Sequence, residues 1–223
     1  GRTVALELAD HGFNIAIHYN HSRDEAAATC EAAEKKGVDA DTFQADLTAD
    51  HDLGTLISSV LSRFPDLTVL INNASVFERA PLLETGMDFF DRILTTNLRA
   101  PFFLCRDFAA NCTGGCIVNI LDTKIADDRT NYSAYTLSKK ALADFTRMAA
   151  DALAPAFRVN GICPGLILPP PGEDESYLKK MAAKIPLKRQ GAPRHIAATV
   201  RFFVENDFVT GDIAYVDGGE HLR

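Results

Sequence analysis

The stretch "CIVNILDTKIADDRTNYSAYTLSKKALADF", Cys116 to Phe145, joins a continuous apolar run to an amphipathic helical pattern through a polar connection. The run Cys116 to Leu121, entered from the turn Thr113-Gly114-Gly115, reads as a strand buried on both faces. Helical spacing follows around Tyr135 to Leu153. A doubly buried strand leading into a helix is one βα unit of a parallel sheet.

The alternation continues outward in both directions. Toward the N-terminus lie the long helix from about Met87 to Asn111, the buried run "TVLINNAS", the helix "HDLGTLISSVLSRF" and the strand "ADTFQAD". Before these come the helix "SRDEAAATCEAAEKKG" with Gly37 as its C-cap, the strand "NIAIHY" and the helix "RTVALELADHG". Toward the C-terminus come the strand-like "AFRVNGICPG", a loop containing Pro169, Pro170 and Pro171, and a last strand "IAYVDGG". The pattern predicts an α/β fold: a Rossmann-type, doubly wound parallel sheet with helices on both faces.

With 47% apolar residues, the 223-residue chain can bury one core unaided, so residues 1–223 are expected to form a single domain. A net charge of −7 and the lack of a Lys/Arg-rich face argue against nucleic acid or an anionic membrane as partner. There is no run of about eighteen apolar residues to span a bilayer. Cys30, Cys105, Cys112, Cys116 and Cys163 show neither CxxC pairing nor zinc-ligand spacing, which predicts a reduced, cytoplasmic thiol protein with no metal. A small molecule is the expected partner.

Ligands of such folds bind beyond the carboxyl ends of the strands. The residues there are Asn20, His21, Ser22 and Arg23, then Asp46, then Asn72, Asn73, Ala74 and Ser75, then Asp122, then Pro164 and Gly165. Any one of these could be an ordinary turn; five polar strand ends together point to a site. Tyr135 and Lys139 stand four apart and share a helix face. A nearby ammonium favours phenolate and should lower the tyrosine pKa, making Tyr135 a candidate general acid. The competing account is a core tyrosine beside a solvated lysine.

With these residues in view, the chain resembles the short-chain dehydrogenase/reductases, through "NNAS" at Asn72, Asn97 in "TTNLRAPFF", "YTLSK" at Tyr135, "RVNGICPG" and "VTGDIAYVDGG". The resemblance covers essentially the whole chain and implies hydride transfer from a nicotinamide cofactor. It implies that Tyr135 protonates the substrate, that Lys139 binds the nicotinamide ribose and tunes Tyr135, and that Asn97 holds a water in the proton path. The family's glycine-rich loop is similar only at Gly1, so its first strand and most of that loop are expected to precede the chain.

Most of the family place a serine thirteen residues before the tyrosine, whereas this chain has Asp122 there. An ionised carboxylate cannot donate to a carbonyl and repels a developing alkoxide. It suits a substrate with N–H donors and a C=N bond whose nitrogen is protonated as hydride arrives. The same aspartate marks the pteridine reductase branch, and "NNASVF", "PGLIL" and "DGGEHLR" are similar to the dihydromonapterin reductases within it. By that resemblance Ser75 contacts substrate and cofactor, and Phe77 stacks a pterin on the nicotinamide. Asp122 and Tyr135 complete the substrate site. The alternatives are a cap or turn residue for Asp122 and a loop ring packed on the core for Phe77.

No acid ends the "NIAIHY" strand to chelate ribose hydroxyls, so Asn20, His21, Ser22 and Arg23 favour NADPH. A solvated turn is the other account of His21 and Ser22. The resemblance adds Gly1, Asp46, Leu47, Asn73, Ala74, Pro164, Gly165 and Leu166 to the cofactor contacts. It also implies a homotetramer built on the long helices near Phe102 and Tyr135, with Arg223 reaching a neighbour's site. The proline-broken, acidic "LPPPGEDESYLKK" is expected to be a mobile loop over the substrate. The resulting expectation is an NADPH-dependent pteridine reductase. Reduction of another carbonyl or imine substrate, such as a 3-oxoacyl thioester or a sugar, and a non-catalytic NADPH sensor are the alternatives.

Overall fold

The computed structural model describes every residue except 129, 130, 171 and 173. Its parallel strands β1 (Ile15–Tyr19) and β2 (Ala40–Gln44) pair with each other. Strands β3 (Val69–Asn72), β4 (Gly115–Ile120), β5 (Phe157–Pro164) and β6 (Ile213–Val216) form a second parallel ladder in that order. All carboxyl ends within a ladder therefore face one way, and the polar strand-end residues gather along one rim.

Helices cover both faces, as the doubly buried strands demand. Ile117 and Val118 are both fully buried but point to opposite sides. Ile117 packs into a core with Leu53 and Ile57 of α3 (Asp50–Arg63) and Leu104 and Phe108 of α5 (Ala100–Asn111). Val118 packs into another with Leu8 of α1 (Arg2–Asp10) and Val200 and Phe203 of α8 (Pro193–Glu205). Ala33 of α2 (Arg23–Glu34) joins that second core.

Gly115 is required at the entrance of β4, because a Cβ there would meet the Thr68 carbonyl oxygen at 2.3 Å. Gly37 stops α2 as expected, although the helix ends at Glu34 and Gly37 follows in the left-handed region at φ 88°. The single long helix expected over Met87 to Asn111 is interrupted. After α4 (Met87–Leu94), a π-helical turn, Thr95–Arg99, widens the helix before α5 resumes it. Asn97 sits in that turn and is fully buried.

Two helices depart from the sequence expectation. The segment expected to be a mobile loop carries α7 (Glu175–Ala182), capped by Asp174, whose carboxylate accepts from the Ser176 and Tyr177 amides. Two of that segment's residues, 171 and 173, lie outside the described residues. Helix α8 was not anticipated at all, although Pro193 opens it and Ile196, Ala197, Val200 and Phe203 recur at helical spacing. Arg158 closes its far end by donating to the carbonyls of Phe203 at 2.6 Å and Val204 at 3.0 Å.

A polar chain fastens the helix that carries Tyr135 to the sheet. Asn72 Nδ2 donates to Asn119 Oδ1 at 2.8 Å, and Asn119 Nδ2 donates to Thr146 Oγ1 at 2.9 Å on α6 (Ser133–Leu153). All three residues are buried, so these bonds form where water cannot substitute. Among the described residues no helix is long and apolar enough to cross a membrane, and no cluster could hold a metal.

Candidate active site

Asp122 ends the β4 run, and its two carboxylate oxygens do different work. Oδ1 accepts from the Lys124 amide at 2.8 Å and caps the 3-10 turn Thr123–Ala126. Oδ2 accepts from the Tyr135 hydroxyl at 2.6 Å. Asp122 is thus a cap, as one account of it holds, and its second oxygen still meets Tyr135. Lys124 Nζ adds a weaker contact to Oδ1 at 3.4 Å.

Tyr135 and Lys139 stand one turn apart on α6, and both are buried. Lys139 Nζ lies 5.9 Å from the Tyr135 ring centroid and donates to the Ile120 carbonyl at 2.8 Å. The expected lowering of the tyrosine pKa is not found. Burial raises the Tyr135 pKa, and the charge and hydrogen bond of Asp122 raise it further. Burial instead depresses Lys139 to about 8, with Asp122 and Cys163 opposing that fall. The buried Cys163 thiol beside them is pushed up to about 12 by desolvation first and Asp122 second. The resting site therefore holds a phenol directed at a carboxylate rather than a phenolate held by an ammonium.

Phe77 lies beside Tyr135. Its ring stacks on Tyr132 at 4.9 Å and 7°, and meets Tyr135 edge-on at 4.8 Å. Lys124 Nζ lies 5.0 Å from the Phe77 ring centroid. Phe77 is also packed at the edge of the cluster formed by Ile93, Ala134 and Tyr135, so the packing account is true of one side of it.

Asn97 spends its side chain on structure. Its Oδ1 accepts from the Val76 amide at 2.8 Å and from Ser75 Oγ at 3.1 Å, while Nδ2 donates to the Val76 carbonyl at 2.9 Å and to Ser138 Oγ at 3.2 Å. Ser138 in turn donates to the Tyr135 carbonyl at 2.7 Å. The π-helical turn thus clamps the Ser75–Phe77 segment to the helix that carries Tyr135.

Along the rim, a Cβ on Gly1 would lie 3.2 Å from Asn73 Nδ2, which places these two together. Half-buried Asn20 and exposed His21, Ser22 and Arg23 follow β1. His21 is near enough to Asp46 to favour its charged form. Hydrogen bonds from the Thr48 amide and then the Thr48 hydroxyl hold Asp46 below its ordinary pKa, so part of its carboxylate is committed to a turn. Leu47 is buried, and half-buried Ala74 packs against the same core. Pro164, Gly165 and Leu166 are half-buried; the Gly165 amide donates to Val216 O at 3.2 Å, and Leu166 O accepts from the Gly191 amide at 2.9 Å.

Sequence reasoning missed Lys124, Tyr132 and Thr123. Lys124 and Thr123 immediately follow Asp122, and Tyr132 lies one helical turn before Tyr135, so position near the named residues was the available signal. A surface depression lined by Lys179, Lys188 and Arg189 contains none of this cluster.

A parallel α/β sheet with a buried Tyr-Lys pair at its rim defines a nucleotide-dependent reductase architecture. Residues 1–221 match the family model described as enoyl-(acyl carrier protein) reductase, and the chain belongs to that family, the short-chain dehydrogenase/reductases. It is an oxidoreductase of this class. Among solved structures it is similar to FolM alternative dihydrofolate reductase 1 from Brucella canis, complexed with NADP. The two are 36% identical with a TM-score of 0.93, over 100% of this chain and 90% of that one. The Brucella suis FolM, also with NADP, is 35% identical with a TM-score of 0.95 at the same coverage. Among curated relatives, the 3-oxoacyl-[acyl-carrier-protein] reductase FabG of Staphylococcus epidermidis is 30% identical over 230 residues, covering 100% of this chain and 94% of the relative.

Proposed function

We propose that the protein is an NADPH-dependent reductase of pteridines, converting a dihydropterin to a tetrahydropterin. The observation that carries this reading is the 2.6 Å hydrogen bond from Tyr135 to Asp122, with the Phe77 ring beside it. A carboxylate at this position accepts from N–H groups at the edge of a flat heterocycle, and an aromatic ring orients that heterocycle by stacking. The likeness to the FolM structures supports it further.

The cofactor site fits the residues present. Buried Lys139 has three N–H donors and one protein acceptor, Ile120 O, among the described residues, which leaves donors for ribose hydroxyls. Gly1, Asn73, Ala74, Asp46 and Leu47 would line the nucleotide, and Asn20, His21, Ser22 and Arg23 would meet a 2′-phosphate without an opposing acid at the strand end. Pro164, Gly165 and Leu166 would border the nicotinamide. Bound NADPH supplies the hydride. Tyr135 gives its proton toward the substrate nitrogen, Asp122 holds the phenol and the substrate edge in line, and Lys139 keeps the ribose side fixed. Ser75 and Phe77 position the ring. Any water held near Asn97 falls to its backbone, since its side chain is fully engaged.

The FabG relatives favour a second reading, reduction of a 3-oxoacyl thioester. The deciding experiment follows NADPH oxidation with dihydrobiopterin, dihydromonapterin, dihydrofolate and an acetoacetyl thioester. Turnover of the pterins supports the first reading; turnover of the thioester alone overturns it. We also propose a homotetramer. Exposed Phe102, Leu137 and Met148 give α5 and α6 an apolar outer face suited to burial between copies, and Arg223 stands at an exposed terminus. Sedimentation as a monomer at micromolar concentration would refute it. The five free cysteines suit the reducing cytoplasm.

A further inference from the structure

Asp217 follows β6 far from Asp122 in sequence, yet its side chain is only 1% exposed. Four donors converge on it. Oδ2 accepts from Thr123 Oγ1 at 2.7 Å, from the His221 amide at 2.8 Å and from His221 Nδ1 at 2.7 Å, while Oδ1 accepts from the Gly219 amide at 2.9 Å. Burial alone would raise its pKa, and these donors outweigh that effect to hold it below the ordinary value. The His221 ring is in turn stacked on Tyr215 at 4.1 Å. Gly165 presses against the same residue, since a Cβ there would lie 2.5 Å from Asp217 Cβ.

Thr123 is the first residue of the turn that Asp122 caps. We propose that Asp217 and Thr123 are positioning residues: the Thr123 hydroxyl, held by Asp217, fixes the turn so that the Asp122 carboxylate meets the Tyr135 phenol. Through His221 and Gly219 the same carboxylate fastens the C-terminal turn Glu220–Leu222 to this arrangement. The C-terminal segment therefore acts on the reaction at one remove, by setting the angle of Asp122. Nothing in the short-range pattern of the turn demands a threonine, because Asp122 already satisfies the Lys124 amide; the hydroxyl's partner is Asp217.

This inference rests on the role given to Asp122 above. The test compares Thr123→Val, which keeps the shape and removes the donor, with Thr123→Ser, which keeps the donor. With a pterin substrate, Thr123→Val should lower kcat about 10-fold or more with the KM for NADPH unchanged, as expected for a misplaced reacting group. Thr123→Ser should stay within about 2-fold of wild type. Equal losses in both variants, or no loss in either, overturn the proposal.

A second readout needs no turnover and separates this idea from the choice of substrate. In protein labelled at the tyrosine Cζ with ¹³C, the Tyr135 chemical shift at neutral pH, assigned through Tyr135→Phe, reports the hydrogen bond from the phenol to Asp122. Thr123→Val loosens Asp122 and should move that signal from its wild-type position, while Thr123→Ser should not. An unchanged Tyr135 signal in Thr123→Val overturns the positioning role even where pterins are reduced. A moved signal in a protein that reduces no pterin preserves the role and removes the substrate reading.

Discussion

The Tyr135 hydroxyl donates to Asp122 Oδ2 at 2.6 Å, so the proton that the proposed reaction would use lies between a phenol and a carboxylate. Lys139 Nζ lies 5.9 Å from the ring centroid and is tied to a backbone carbonyl rather than to the phenol oxygen. In the proposed reaction the substrate must therefore take over from the carboxylate as the partner of the tyrosine.

Asp122→Ala should lower pterin turnover by about 100-fold or more, the usual scale for removing a group from the proton path. Asp122→Ser should lose pterin turnover while gaining activity on an acetoacetyl thioester, since a hydroxyl donates to a carbonyl and a carboxylate does not. Steady-state kinetics on both substrates check this, and intact pterin turnover in Asp122→Ala would sink the assigned role.

Phe77→Ala removes a stacked ring and its edge contact with Tyr135. Aromatic pairing of this kind contributes about 0.5–1.5 kcal/mol beyond area, so the KM for a pterin should rise by roughly 2- to 12-fold. Thioester reduction should change less, because a flexible chain has no ring to stack. Equal effects on the two substrates would count against stacking.

Lys139 has a pH signature with a definite sign. Its ordinary value is 10.5 and burial lowers it to about 8, so between those limits the unfolded chain binds more protons than the folded one. Stability contributed by this group therefore rises with pH from about 8 to 10.5, and the penalty of burying the ammonium is fully present below 8. Cys105 and Cys163, both raised from 9.0 to about 12 with burial as the first cause, act with the opposite sign above pH 9. Thermal unfolding between pH 7 and 9 should thus show a rise that is absent in Lys139→Met. Cofactor affinity should fall over the same interval as the charge is lost.

Asn97→Ala removes a fully buried side chain and leaves the part-buried Val76 amide and carbonyl without their side-chain partner. Denaturant unfolding should report a loss on the order of 2 kcal/mol or more. The Ser75–Phe77 segment is released from the helix at the same time, so pterin KM should rise alongside the loss of stability. An unchanged midpoint would show that the clamp contributes nothing.

Much of this site is written locally. Apolar runs ending in polar residues placed Asp122, Asn73 and Pro164 on the rim, and an interval of four put Tyr135 and Lys139 on one face. Helix α8 is equally legible, since Pro193 and the spacing of Ile196, Val200 and Phe203 announce it. Other features depend on pairings that no local pattern carries. The π-helical turn carries Asn97, on whose side-chain amide Ser75, Val76 and Ser138 converge. The ionisation of Tyr135 was misjudged for the same reason: spacing revealed the ammonium, while the burial and the direct contact with Asp122 that reverse the shift are three-dimensional. Thr123 and Asp217 are 94 residues apart, beyond any periodicity.

The anchoring of Lys139 on the Ile120 carbonyl, two residues before Asp122, gives the amine and the acid a common datum at the tip of β4. Both are measured from the same short piece of backbone, whose neighbour Leu121 is itself bonded to Ile162 across the sheet at 2.7 Å. The Pro164–Leu166 bend hangs from β5 and meets this gauge by another route, since Gly165 packs against Asp217, the partner of Thr123. A change in that bend would therefore reach the proton geometry through Asp217 and Thr123, while the β4 tip itself keeps its gauge.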